Sequence, residues 1–173
     1  MLNNLKLKKM ETKRILLTDD DMDIINVLET ILVHEGYEVA TANNKTEGLK
    51  KLSEFKPDLA ILDVMMTTHF EGFEMAKAIK SNTETKNIPV IMLTSIEVLI
   101  TNKPDIQTIA REFRKDPDFK ELDVILIKDS TSLNAGIDYK AENGTSVWLP
   151  VDGFIAKPVD SRRILPEVKR LLK

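Results

Sequence analysis

Three acidic residues stand where strands would end. Asp19 and Asp20 follow the apolar run Ile15-Leu16-Leu17, and Asp63 follows Leu59-Ala60-Ile61-Leu62. Such runs read as strands buried on both faces, and open α/β sheets bind ligands beyond the carboxyl ends of their strands. Three carboxylates gathered there would repel one another unless a divalent cation lay between them. Ligation by oxygen alone suits a hard ion, most simply Mg²⁺ with several retained waters. Thr94 ends a further apolar run, Ile88–Leu93, and Lys157 follows Gly153-Phe154-Ile155-Ala156. A hydroxyl and an ammonium beside such a carboxylate suit an anion forming on it. Phosphoryl fits that description, with an aspartate as its nucleophilic acceptor.

The elements that must position these residues alternate between strand and helix, as in a doubly wound parallel sheet. Strands are expected at about Arg14–Thr18, Tyr37–Ala42, Asp58–Leu62, Ile88–Leu93 and Phe154–Ala156. The first helix is expected over Met22–Glu35, capped by Asp20 or Asp21 and stopped by Gly36. Its apolar positions Ile24, Ile25, Leu28, Ile31 and Leu32 recur at helical spacing. A second helix follows Asn43-Asn44 and ends before Pro57; a third covers about Gly72–Ser81; a last one, capped by Asp160 or Ser161, runs to Leu172.

An acidic pair after strand one, an Asp after strand three, a Thr after strand four and Lys-Pro after strand five together resemble the receiver domain of two-component response regulators. The resemblance spans roughly residues 13–95 and 151–173. It implies a flavodoxin-like receiver fold with a five-stranded parallel sheet, and a phospho-acceptor role for Asp63 with Thr94 and Lys157 contacting the phosphoryl oxygens. It also implies Mg²⁺ held by Asp19, Asp20, Asp63 and the backbone carbonyl of Met65, with a cis peptide before Pro158. Phe154 matches the family's rotameric switch aromatic; the plainer reading is an ordinary core phenylalanine. The implied partner is a sensor histidine kinase or a phosphotransfer protein, with an output through contacts to a further protein. The acceptor loop departs from the family: the expected Met-Pro becomes Met66-Thr67, and the stretch to Gly72 is one residue longer.

Each acid also has a plainer role as a helix cap or turn residue. His69 reads as an exposed loop histidine rather than a ligand, and His34 as favouring the dipole of the first helix. A hydrolase with a strand-end aspartate nucleophile is a second class, but its general acid belongs two residues on, where Met65 stands. The chain is therefore not read as an enzyme. A third class is a receiver-like protein-binding module that works without phosphorylation.

At 173 residues, 42% hydrophobic and 31% charged, the composition is that of one globular domain. A net charge of −3 makes no electrostatic case for nucleic acid, and no DNA-binding domain is expected after the last helix. With no cysteine there are neither disulfides nor thiolate metal sites, which fits a cytoplasmic protein. The basic residues Lys6, Lys8, Lys9 and Lys13 lack the apolar stretch of a signal peptide, and residues 1–12 read as a flexible leader. No segment approaches the length of a membrane span.

Between Thr94 and Lys157 lie 62 residues, where a helix, two loops and a strand need about 20–25. An insertion of about residues 97–150 is expected inside the receiver domain 13–173. A helix should follow Pro104, with Ile106, Ile109, Ala110 and Phe113 on one stripe, and Val124–Ile127 reads as an extra strand. Ser130–Gly144 reads as a mobile polar loop, and Trp148 as pinning the returning chain to the body.

Overall fold

The computed structural model describes residues 11–68 and 70–173. Residues 1–10 of the leader and His69 lie outside the described residues, so the expectations for them go no further. The elements, in order, are β1 (Arg14–Thr18), α1 (Met22–His34), β2 (Glu38–Ala42), α2 (Lys45–Phe55), β3 (Leu59–Asp63), α3 (Glu71–Ser81) and β4 (Val90–Thr94). After them come β5 (Val98–Thr101), α4 (Ile106–Phe113), α5 (Pro117–Lys120), β6 (Val124–Asp129), β7 (Ala135–Lys140), β8 (Ser146–Val151), β9 (Gly153–Ala156) and α6 (Ser161–Leu171).

Five parallel strands in the order β2-β1-β3-β4-β9 make the main sheet. Alternation along its strands divides two cores. Ile15, Leu17, Leu59, Ile61, Ile91, Leu93 and Ile155 face α1 and α6, meeting Leu28, Leu32, Ile164 and Val168. Leu16, Ala60, Leu62, Val90, Met92 and Phe154 point the other way, toward Leu52 of α2 and Phe73, Ala76 and Ile79 of α3. The expected five-stranded parallel fold is present. Asp21 takes the cap of α1, accepting from the Asp23 and Ile24 amides, and so leaves Asp19 and Asp20 free of that task.

The 95–152 segment forms a second sheet, ordered β5-β6-β7-β8. β5 and β6 are parallel, linked through α4 and α5; β6-β7 and β7-β8 are antiparallel. One face of this sheet (Leu126, Ala135, Ile137, Tyr139, Leu149, Val151) joins the α2/α3 core of the main sheet. The opposite face carries Ile127 and Trp148 against Ile106, Ala110 and Phe113 of α4.

Two expectations are corrected here. Ser130–Gly144 is not a polar loop throughout, because Ala135–Lys140 is an inner strand with Ala135, Gly136, Ile137, Asp138 and Tyr139 all buried. Asp138 in that strand is buried against Arg114 at the end of α4. Trp148 does not pin the chain to the main body; it packs on the α4 side, its ring lying where a Cβ on Gly136 would come within 2.2 Å. The helix after Pro104 and the strand at Val124–Ile127 are both formed.

Candidate functional site

The carboxyl ends of β1, β3, β4 and β9 converge because the strands are parallel and in register. Asp63 is the last residue of β3 and pairs with Leu93; the Val64 amide continues the ladder to the Leu93 carbonyl at 2.9 Å. Thr94 ends β4 opposite Ala156, and the Lys157 amide donates to its carbonyl at 2.8 Å. Lys157 is thereby anchored one residue past β9, and the Lys157-Pro158 peptide is cis.

From that anchor the Lys157 ammonium reaches both inner acids, 3.0 Å from Asp19 Oδ2 and 3.0 Å from Asp63 Oδ1. Asp19 Oδ1 accepts from the Asp21 amide at 2.9 Å. Asp19 and Asp63 are buried, while Asp20 is exposed at the rim. One carboxylate oxygen from each of Asp19, Asp20 and Asp63 lies within 4.8 Å of the others. The acids and Lys157 expected to meet do meet. Thr94 is fully buried beside them; its hydroxyl accepts from the Ile96 amide at 2.8 Å, turning the chain out of β4.

The electrostatics follow from too much negative charge in too little water. Burial, and then the neighbouring Asp19 charge, raise Asp63 from its ordinary 3.8 to about 6, against the opposing pull of Lys157 and the Met65 backbone. Asp19 is also raised, first by burial, with Asp20 adding to it and the Asp21 amide and Lys157 opposing. Burial pulls the Lys157 ammonium down, but the hydrogen bonds it donates to Asp19 and Asp63 outweigh this and the net direction is up. Three carboxylates facing one ammonium leave an excess of negative charge and oxygen donors alone, a donor set that fits a hard divalent cation. The Met65 side chain is exposed, and its backbone hydrogen-bonds to the Asp63 carboxylate. Phe154 is buried in the α2/α3 core, on the strand that delivers Lys157.

Gly72 belongs to the site, a role its place at the start of the expected third helix does not reveal. A Cβ there would sit 1.9 Å from the Asp63 carbonyl and 2.7 Å from that of Val64, so only glycine lets α3 begin against the acceptor strand. Its signal is a glycine inside a first helical turn, Glu71-Gly72-Phe73, where propensity disfavours it. The Glu71 carboxylate accepts from the Lys45 amide at 2.9 Å, tying the starts of α2 and α3 together. That contact joins residues 26 apart and leaves no local pattern.

The sequence model of the response regulator receiver domain matches residues 15–113, more than half of the chain. A homologue of the transcriptional regulatory protein CpxR from Haemophilus influenzae is 44% identical over 82 residues, covering 47% of this chain and 34% of its own length. The alkaline phosphatase synthesis transcriptional regulatory protein PhoP of Bacillus subtilis is 39% identical over 83 residues, covering 48% and 33%. The chain thus spans about a third of the length of these relatives. Among solved structures, the chemotaxis response regulator CheY4 of Vibrio cholerae superposes with a TM-score of 0.58 at 22% identity, covering 92% of this chain and 98% of that one, a likeness of fold. Among the described residues no helix is long and apolar enough to cross a membrane.

Proposed function

The chain belongs to the response regulator receiver domain family, and from that premise we propose that it accepts a phosphoryl group on Asp63 from a sensor histidine kinase or phosphotransfer protein. On this reading it is a cytoplasmic signalling protein whose output is a contact with another protein. The observation that carries the reading is the buried Asp63 carboxylate at the end of β3, 3.0 Å from Lys157 and clustered with Asp19 and Asp20.

An Asp63 oxygen attacks the phosphorus of a phosphohistidine; the P–O bond forms as the P–N bond breaks, its electron pair stays on the ring nitrogen, and the imidazole leaves neutral with the proton already on its other nitrogen. Asp63 must be ionised to attack. Raised to about 6, it is mostly ionised at neutral pH and still more basic than an ordinary aspartate. Lys157 is placed to follow the charge, exchanging its pairing with the carboxylate for one with a phosphoryl oxygen. Thr94 can turn its hydroxyl from the Ile96 backbone toward another of those oxygens. Asp19, Asp20, Asp63 and the Met65 carbonyl would hold Mg²⁺, which when bound neutralises the charge of the incoming group.

Incubation with acetyl phosphate and Mg²⁺ should add one phosphoryl mass to the parent and none to Asp63→Asn. Equal labelling of both would show that the acceptor is another residue. A parent that stays unlabelled with every donor would leave the phosphorylation-independent binding module as the better reading.

A further inference from the structure

The acceptor loop between Asp63 and α3 ends at Phe70, which occupies the cap position of α3. A phenylalanine offers no side-chain acceptor to a helix start, so the entry of this helix is held in another way. The Phe70 ring lies 6.0 Å from that of Tyr139, stacked at 28°, and 6.4 Å from that of Phe73. Phe73 and Tyr139 are themselves 5.1 Å apart and stacked at 24°. The latter two rings are fixed. Phe73 is fully buried on α3, and Tyr139 is buried on β7, paired to Val124 on one side and Val147 on the other. Phe70 is only part-buried and faces a groove of about 590 Å³ between α3 and the β7–β8 hairpin. Displacing the loop therefore slides its terminal ring across Tyr139 toward open space.

We propose that Tyr139, supplied by the second sheet, is a positioning residue for the acceptor loop. It acts through Phe70, so that the loop carrying the acceptor and the β7–β8 hairpin change state together. The claim rests on the phospho-acceptor reading for its purpose, but not for its test. Ring contacts at these separations add to simple burial, and the β7–β8 hairpin ends in the edge strand β8 beside the groove, where a moved ring would be felt by a partner. The sequence model of the family ends at residue 113, so this support for the loop comes from outside the matched region.

Hydrogen exchange on the full chain decides the matter in the resting state. Tyr139→Leu should speed exchange in residues 64–70 about tenfold through lost stacking, while β6 and β8 keep parental rates. Tyr139→Phe, which retains the ring, should restore the parental loop. Unchanged exchange at 64–70, or loosening confined to the second sheet, would overturn the proposal, as would failure of the phenylalanine to rescue. If Tyr139→Leu does not fold, Phe70→Leu is the reciprocal variant: it should speed exchange across 138–147, and no change there refutes the coupling. A final arm adds acetyl phosphate and Mg²⁺, with uptake followed by intact mass. Labelled parent should alter exchange in 138–147, and labelled Tyr139→Leu should not. If no mass is gained, the acceptor reading falls, while the resting-state arms still decide the role of Tyr139.

Discussion

Asp63 at the end of the parallel sheet and Asp138 in the second sheet are each about 4% exposed, and each lies within 3.0 Å of a cation. Their surroundings differ in balance. Among the described residues Arg114 pairs with no carboxylate but Asp138: its Nε and Nη2 both lie 2.9 Å from Asp138 Oδ1, and its guanidinium also donates to the backbone carbonyls of Asp138, Phe119 and Leu122. One charge meets one charge, with the leftover hydrogen-bonding capacity spent on the chain. At the other site one ammonium faces Asp19 and Asp63, with Asp20 close by, and both inner acids are pushed up. A matched pair locks a structure. An unmatched cluster holds free energy that an incoming cation or phosphoryl group would release, which supports the role proposed for it above.

Breaking the matched pair should have the largest effect. Arg114→Met leaves Asp138 buried and unpaired, and should cost about 3–5 kcal/mol of stability in urea unfolding at pH 7. Lys157→Met should cost less, and its cost should shrink toward pH 5 as Asp63, raised to about 6, takes up a proton. A smaller loss for Arg114→Met than for Lys157→Met at pH 7 would dissolve the distinction.

Neutralising the acids should give opposite signs. Asp138→Asn should destabilise the fold, whereas Asp63→Asn should stabilise the metal-free protein. The sign follows from the shift: Asp63 rises from 3.8 to about 6 on folding, so between those values the native state binds the extra proton. Its contribution is whole below about pH 4 and is lost as pH climbs past 6, a fall of at most about 3 kcal/mol. Asp63→Asn should flatten that part of the pH–stability profile. A profile in metal-free buffer that rises from pH 4 to 6 equally in parent and variant would contradict it.

Gly72→Ala should cost about 1–3 kcal/mol, because the Asp63 carbonyl blocks the new methyl and the loop must shift. Phosphoryl uptake should fall with it, measured by intact mass against time. The smallest effect is at the exposed rim. Asp20→Ala should leave the fold nearly unchanged in the absence of metal, yet erase the rise in melting temperature that Mg²⁺ gives the parent. An unaltered Mg²⁺-dependent shift would remove Asp20 from the ligand set.

The parallel sheet and its acids were legible in sequence because each signal is local. Ile15–Leu17, Leu59–Leu62 and Val90–Leu93 are continuous apolar runs, and the residue after each must emerge at the same end of a parallel sheet. The second sheet was only half legible. Val124–Ile127 and the α4 stripe stand out by hydrophobicity, but Gly136, Asp138 and Lys140 make β7 read as a loop. What turns them into an inner strand comes from far along the chain: Arg114 neutralises Asp138 across 24 residues, and the Trp148 ring fills the space beside Gly136. The same holds at the acceptor loop, where Phe70 and Gly72 acquire meaning from Tyr139 and from the Asp63 carbonyl. Sequence determined the strands of the parallel sheet and the residues of the acidic cluster, since apolar runs and strand ends are properties of neighbours. Only the tertiary structure decided which polar residues are buried and which ring steadies which loop, because burial is conferred by whatever segment folds back to cover a face.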